Sequence, residues 1–201
     1  TLVCDTGNIR VVRRFAETIM DLSTGQFHEM ADYHQSSLSR ERYMKRIYNK
    51  TASLFTTAGE SGAVLSNAPE LIVRNLREYG YNIGMAFQII DDVLDFEASS
   101  EELGKPVGND LAHGILTLPA LFAIEQQQPN NPVLQWIGNP DDSEALPKAV
   151  EFVQGTSAIE NARLVAKEFG SKALAALKNL DANTSKHSLE KIVHYVLDRR
   201  N

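Results

Sequence analysis

The chain has 201 residues, with 20 Lys+Arg against 26 Asp+Glu and a formal charge of −6, a balance opposed to a nucleic-acid binder, which needs a basic face for counterion release. Its 43% hydrophobic residues suffice for one core, so residues 1–201 read as a single domain, while 12 Gly and 7 Pro are too few for a linker or low-complexity protein. The lone Cys4 excludes an intrachain disulfide and favours a reducing, cytoplasmic setting, with an organellar lumen left open; no run approaches the roughly 20 apolar residues of a membrane span, and TLVCDTGNIR lacks a secretory layout.

Apolar residues recur at helical spacing almost throughout and predict an all-α chain. Asn8 caps a first helix with Ile9, Val12, Phe15, Ile19 and Leu22 inward, continuing to about Tyr33. After the polar turn HQSSLS, Ser39 caps a second, with Tyr43, Ile47, Leu54 and Ala58 on one side. Pro69 suits the first turn of a third. That helix runs unbroken to Phe96, roughly 28 residues and about 42 Å, long enough to cross the middle of a bundle. The loop EASSEELGKPVGNDLAHG follows, then short helices over Ile115 to Gln126 and Val133 to Ile137. Three more close the chain. One covers Glu144 to Gln154, and one runs from a capping box at Ser157 and Glu160 through Val165, Phe169 and Leu177. The last carries Leu189, Ile192, Val193, Val196 and Leu197 as an apolar stripe.

The most informative segment is GMAFQIIDDVLDFEASS. At about 100° per residue, Asp91, Asp92, Asp95 and Gln88 share one face of the long helix, and Gly84 and Gly80 continue it toward the other end. The pattern predicts a groove that is polar at one end and left open further along by absent side chains. Three carboxylates within a turn repel one another and are costly to bury. A hard cation such as Mg²⁺, which takes one or two carboxylates with water and phosphate, resolves the conflict. The plainer alternative is a solvated acidic helix end, but acids there oppose the macrodipole. The flanking AFQII and LGKPVGND favour the metal.

A metal of this kind serves a phosphorylated ligand, so cations should converge on it. Lys50 and Thr51, in YNKTASLF, are the first candidates: Thr51 shares a face with Ile47 and Phe55, and Lys50 lies at its edge. From helical geometry alone, a snorkelling lysine and a satisfied core threonine explain the pair better. Lys105, between Gly104 and Pro106, can fold back over a metal-bound phosphate, with Asp110 orienting it or binding an outer-sphere water; an exposed loop charge is the alternative. His28, His34, His113, His187 and His194 show no zinc-type spacing and read as structural or surface residues. Gln26 either borders the cleft or is a buried, bonded amide; Trp136 reads as packing, and Arg199 and Arg200 as complements to the last helix dipole. There is no P-loop, GxSxG or dinucleotide fingerprint.

Taken together, Lys50-Thr51, FQIIDDVLDF and LGKPVGND resemble the trans-isoprenyl diphosphate synthases, especially the long-chain polyprenyl synthases, across essentially the whole chain. The resemblance implies an all-α isoprenoid-synthase bundle around a central cavity, and a homodimer. It implies Mg²⁺-dependent condensation of isopentenyl diphosphate with an allylic prenyl diphosphate. Asp91, Asp92 and Asp95 would hold Mg²⁺, partly through water; Lys50, Gln88 and Lys105 would contact the allylic diphosphate; Thr51 would line the adjacent site and Phe87 the isopentenyl chain. The family's first aspartate-rich motif and its isopentenyl-diphosphate-gripping basic residues are not among these residues, so the expectation is a chain lacking the front third and inactive by itself. A catalytically incomplete helical partner of an active synthase is the alternative. A terpene cyclase fits FQIIDDVLDF and LGKPVGND less well.

Overall fold

The computed structural model describes residues 1–37, 39–97, 107–126, 130–142 and 144–199, and every regular element among them is helical. A short α1 (Leu2–Asp5) leads into α2 (Ile9–Ala31), where the Asn8 side chain accepts from the backbone N–H groups of Arg10 and Val11. The buried face of α2 is Val11, Thr18 and Gly25, whereas Ile9 and Ile19, expected inward, face solvent. Small and hydroxyl groups make this contact because the neighbouring backbones come close; an apolar count alone selects the wrong side.

The second predicted helix is three pieces: α3 (Arg40–Ile47, capped by Ser39), a π-helical turn (Tyr48–Ala52) and α4 (Ser53–Leu65). A π-turn inserts a residue, which rotates everything beyond it by about 100°. Leu54 and Ala58, expected beside Tyr43 and Ile47, are therefore exposed, and Ser53, Thr56, Thr57 and Ser61 are buried instead.

The long helix α5 (Glu70–Glu97) has the predicted length and lies chiefly between α4 and α10 (Ala158–Ala176). From Tyr79 onward it is buried on nearly all sides, by residues such as Ile83, Met85, Ile89, Val93 and Phe96, as expected of a helix apolar around most of its circumference. Gly80 and Gly84 do not leave a groove open. A Cβ on Gly80 would lie 2.3 Å from the Phe55 carbonyl oxygen, and one on Gly84 would lie 2.7 Å from Ala52 Cα. These glycines admit the backbone of α4 and the π-turn, which fills the space.

Beyond α5 come α6 (Asn109–Ala112), α7 (Leu118–Glu125), α8 (Pro132–Gly138), α9 (Ala145–Gln154), α10 and α11 (Thr184–Asp198). The side chain of Ser157 makes no capping bond to α10, whose buried stripe is Ala158, Ala162, Ala166, Gly170, Ala173 and Ala176 rather than Val165 and Phe169. Small residues let α10 press close against α5. On α11, Val193 and Val196 are buried as expected, while Ile192 is exposed. No helix among the described residues is long and apolar enough to cross a membrane.

Candidate active site

The acidic end of α5 opens on a cavity of about 430 Å³. Its walls come from four places in the chain: Glu29 of α2, Arg46 and Lys50 of α3 and the π-turn, Gln88, Asp91 and Asp92 of α5, and Asn109, Asp110 and His113 around α6. The π-turn sets the register here, as such turns often do at functional sites. It turns Lys50 outward, where its ammonium contacts the Glu29 carboxylate. Thr51 faces α5, and its hydroxyl donates to Gln88 Oε1 at 2.6 Å. The Gln88 amide then donates to Asp92 Oδ1 at 2.9 Å, and the buried Tyr43 hydroxyl donates to Asp92 Oδ2 at 2.6 Å. Thr51, Gln88, Asp92 and Tyr43 thus form one continuous set.

The three acids on the predicted face have three different environments. Asp91 is half-exposed and accepts from Arg199 Nη2 at 2.7 Å. Asp92 is buried, and desolvation pushes its carboxyl from 3.8 to about 7 despite the opposing bonds from Tyr43 and Gln88. Asp95 turns away from the cavity and accepts from the backbone N–H groups of Asn109 and Asp110, both at 3.1 Å. Burial, with the nearby Asp110 charge, still raises it to about 6. Asp110 is itself raised, first by burial and then by Glu29, with Lys50 opposing. Burial is the first cause of elevation at all three carboxyls, Asp92, Asp95 and Asp110, and a divalent cation would favour their ionised forms. Among the described residues, no three His, Cys, Asp or Glu side chains converge as a ready-made metal cluster. Asp91 and Asp92 both line the cavity, a donor set suited to a cation that takes one or two carboxylates and completes its shell from water and phosphate oxygens, as Mg²⁺ does.

Of the residues expected here, Lys50, Gln88, Asp91, Asp92 and Asp110 line the cavity, and Thr51 stands directly behind Gln88. Phe87 does not line it: its ring packs against Phe55, with centroids 5.5 Å apart, and lies under the Arg199 guanidinium at 5.2 Å. Arg199 is accordingly a partner of Asp91 and not merely a helix-dipole complement. Lys105 lies outside the described residues. Gln26 is exposed, and Glu29, one turn on, takes the cavity-lining place. Sequence reading missed Glu29, Tyr43 and Arg46. Arg46 is buried and binds Asp32 at 3.2 Å and the Leu116 carbonyl at 2.6 Å. A charged residue at the inward position of α3 was the available signal. Trp136 packs as expected and also donates to the Leu111 carbonyl at 2.8 Å, tying α8 to α6.

The sequence model of the polyprenyl synthetase family matches residues 1–153. A prenyl transferase of Cyanophora paradoxa is 37% identical over 193 residues, which cover 96% of this chain and 59% of that protein. The chloroplastic solanesyl-diphosphate synthase 2 of Oryza sativa subsp. japonica is 35% identical, with 96% of this chain and 47% of that protein covered. A crystal structure of polyprenyl synthase from Caulobacter crescentus CB15, complexed with calcium and isoprenyl diphosphate, superposes with a TM-score of 0.92 at 32% identity, over 100% of this chain and 62% of that one. Heptaprenyl diphosphate synthase from Staphylococcus aureus gives 0.91 at 32% identity, over 96% and 61%. The chain spans about half to three fifths of the length of the curated relatives named here.

Proposed function

This chain belongs to the polyprenyl synthetase family, and from that premise we propose that it carries the diphosphate-handling half of a Mg²⁺-dependent trans-prenyltransferase. The reaction condenses isopentenyl diphosphate with an allylic prenyl diphosphate, releasing pyrophosphate and a longer polyprenyl diphosphate. The observation that carries the reading is the cavity in which Lys50, Gln88, Asp91 and Asp92 meet. The calcium and isoprenyl diphosphate bound by the Caulobacter relative lend it support.

Breaking the allylic C–O bond leaves negative charge on the departing diphosphate, and groups aimed at that charge lower the barrier. Asp91 and Asp92 would hold Mg²⁺, which when bound would supply part of the neutralising charge; Asp95, expected with them, instead accepts from the Asn109 and Asp110 backbone. Lys50 supplies a protein cation at the cavity mouth. Gln88 is oriented from both ends, by Thr51 on its oxygen and Asp92 on its amide, which leaves its second N–H for a diphosphate oxygen. Lys105 and Asp110 belong to the same proposal as a second cation and its support. Homodimerisation does too, supported by the exposed apolar residues Ile9, Ile19, Met20, Phe27 and Met30 on α2. A non-catalytic helical partner has no use for the connected Thr51, Gln88, Asp92 and Tyr43 set.

The test is a Mg²⁺-dependent condensation assay on the whole protein. Lys50→Ala and Asp91→Ala are each expected to lower turnover by about 100-fold or more, the scale of losing one charge-stabilising group. Near-normal rates in either variant would defeat the assignment, as would full activity in excess chelator.

A further inference from the structure

We propose that Glu29 is a positioning residue for Lys50, fixing the direction in which the ammonium faces a bound diphosphate; this rests on the function proposed above. Two observations converge on the pair. First, α2 and the π-turn are in backbone contact: a Cβ on Gly25 would lie 2.6 Å from the Lys50 backbone nitrogen and 2.9 Å from its Cα. Glu29 sits one helical turn beyond Gly25, so the packing that excludes a side chain at 25 also delivers the carboxylate beneath the Lys50 stem. Second, the carboxylate is the more fixed member of the pair. Its side chain is 12% exposed against 41% for Lys50, and its other oxygen accepts from Gln26 at 3.4 Å.

An ammonium has three N–H donors. One directed at Glu29 leaves two, and the carboxylate decides where they point. Without Glu29, the long lysine stem is free to sample many rotamers at the cavity mouth, so the ammonium is no longer held where charge develops on the departing diphosphate, and the cost of ordering it falls in the transition state. Arg46, the other full cation lining the described cavity, cannot substitute, because Asp32 and the Leu116 carbonyl already hold it. Glu29 itself touches no reacting atom; it acts through Lys50.

Two readouts on Glu29→Gln and Glu29→Ala test this. The first is competitive acetylation of Lys50, followed by mass spectrometry against the exposed Lys191. An amine held by a carboxylate is a poorer nucleophile, so labelling of Lys50 should rise several-fold in both variants. The second is steady-state condensation by the whole protein. Glu29→Ala should lower kcat about tenfold with less than a threefold change in KM, Glu29→Asp should recover part of the loss, and Glu29→Ala should add nothing to Lys50→Met. A merely structural residue would change thermal stability without altering Lys50 labelling. Unchanged labelling overturns the proposal, and so does raised labelling with wild-type kcat. A wild-type protein without condensation activity would instead remove the function reading, while labelling, which needs no turnover, still decides whether Glu29 holds Lys50.

Discussion

Desolvation holds the Asp92 carboxyl at about 7, against an ordinary 3.8, although Tyr43 and Gln88 both donate to it. A carboxyl raised by folding binds its proton more readily in the folded chain than in the unfolded one. Its contribution to stability is therefore complete below about 3.8 and is lost as pH rises through about 7. Asp95, raised to about 6, acts in the same direction. The melting temperature of the metal-free chain should fall between pH 5 and pH 8, and Asp92→Asn should flatten that fall. Mg²⁺ should restore part of the loss at pH 8 in the wild type, because the cation favours the ionised acids. An unchanged slope in Asp92→Asn, followed by circular dichroism, would exclude Asp92 as its source. The sequence identifies these acids as a group but cannot rank them. Helical phase puts Asp91, Asp92 and Asp95 on one face; neighbouring elements then expose the first, bury the second and turn the third toward the α6 backbone.

At the level of elements, the π-turn and the glycines of α5 carry the site. Period-3.6 reasoning predicts one helix from Ser39 past Ala58 and is right that the segment is helical, but the rotation from one inserted residue carries Leu54 and Ala58 out to solvent. No residue type announces a π-turn, since its hydrogen bonds differ from those of an α-helix only in their span. The glycines were legible as absent side chains; what fills the space was not. Because a Cβ on Gly80 would meet the Phe55 carbonyl at 2.3 Å, Gly80→Ala should cost about 1–3 kcal/mol through overpacking. Chemical denaturation would register it as a lower midpoint with an unchanged slope. Stability equal to wild type would show that α4 and α5 are not pressed together there.

Across the whole molecule, the cavity joins residues far apart in sequence, and α11 returns to its rim. Arg199, at the C-cap of α11, reaches Asp91 and lies over Phe87. The pair is partly solvated, with side chains 20% and 49% exposed, so its removal should change stability by at most about 1 kcal/mol. Its electrostatic consequence is larger for ligands. A guanidinium on Asp91 competes with a divalent cation for the same carboxylate, so Arg199→Ala should tighten Mn²⁺ binding several-fold, read by calorimetry. Unchanged or weaker Mn²⁺ binding would show that Arg199 does not oppose the cation.

Composition and periodicity alone establish an all-α chain built on one long rod, because apolar spacing records which residues must leave water. Motif order identifies the family, because the KT pair, FQIIDDVLDF and LGKPVGND follow one another in a set order along the chain. Tertiary structure alone decides which acid is buried, which lysine has a partner and where α4 fills the space beside α5. Those outcomes depend on the phase of one helix against another and on backbone approach at Gly25 and Gly80, which no local spacing encodes.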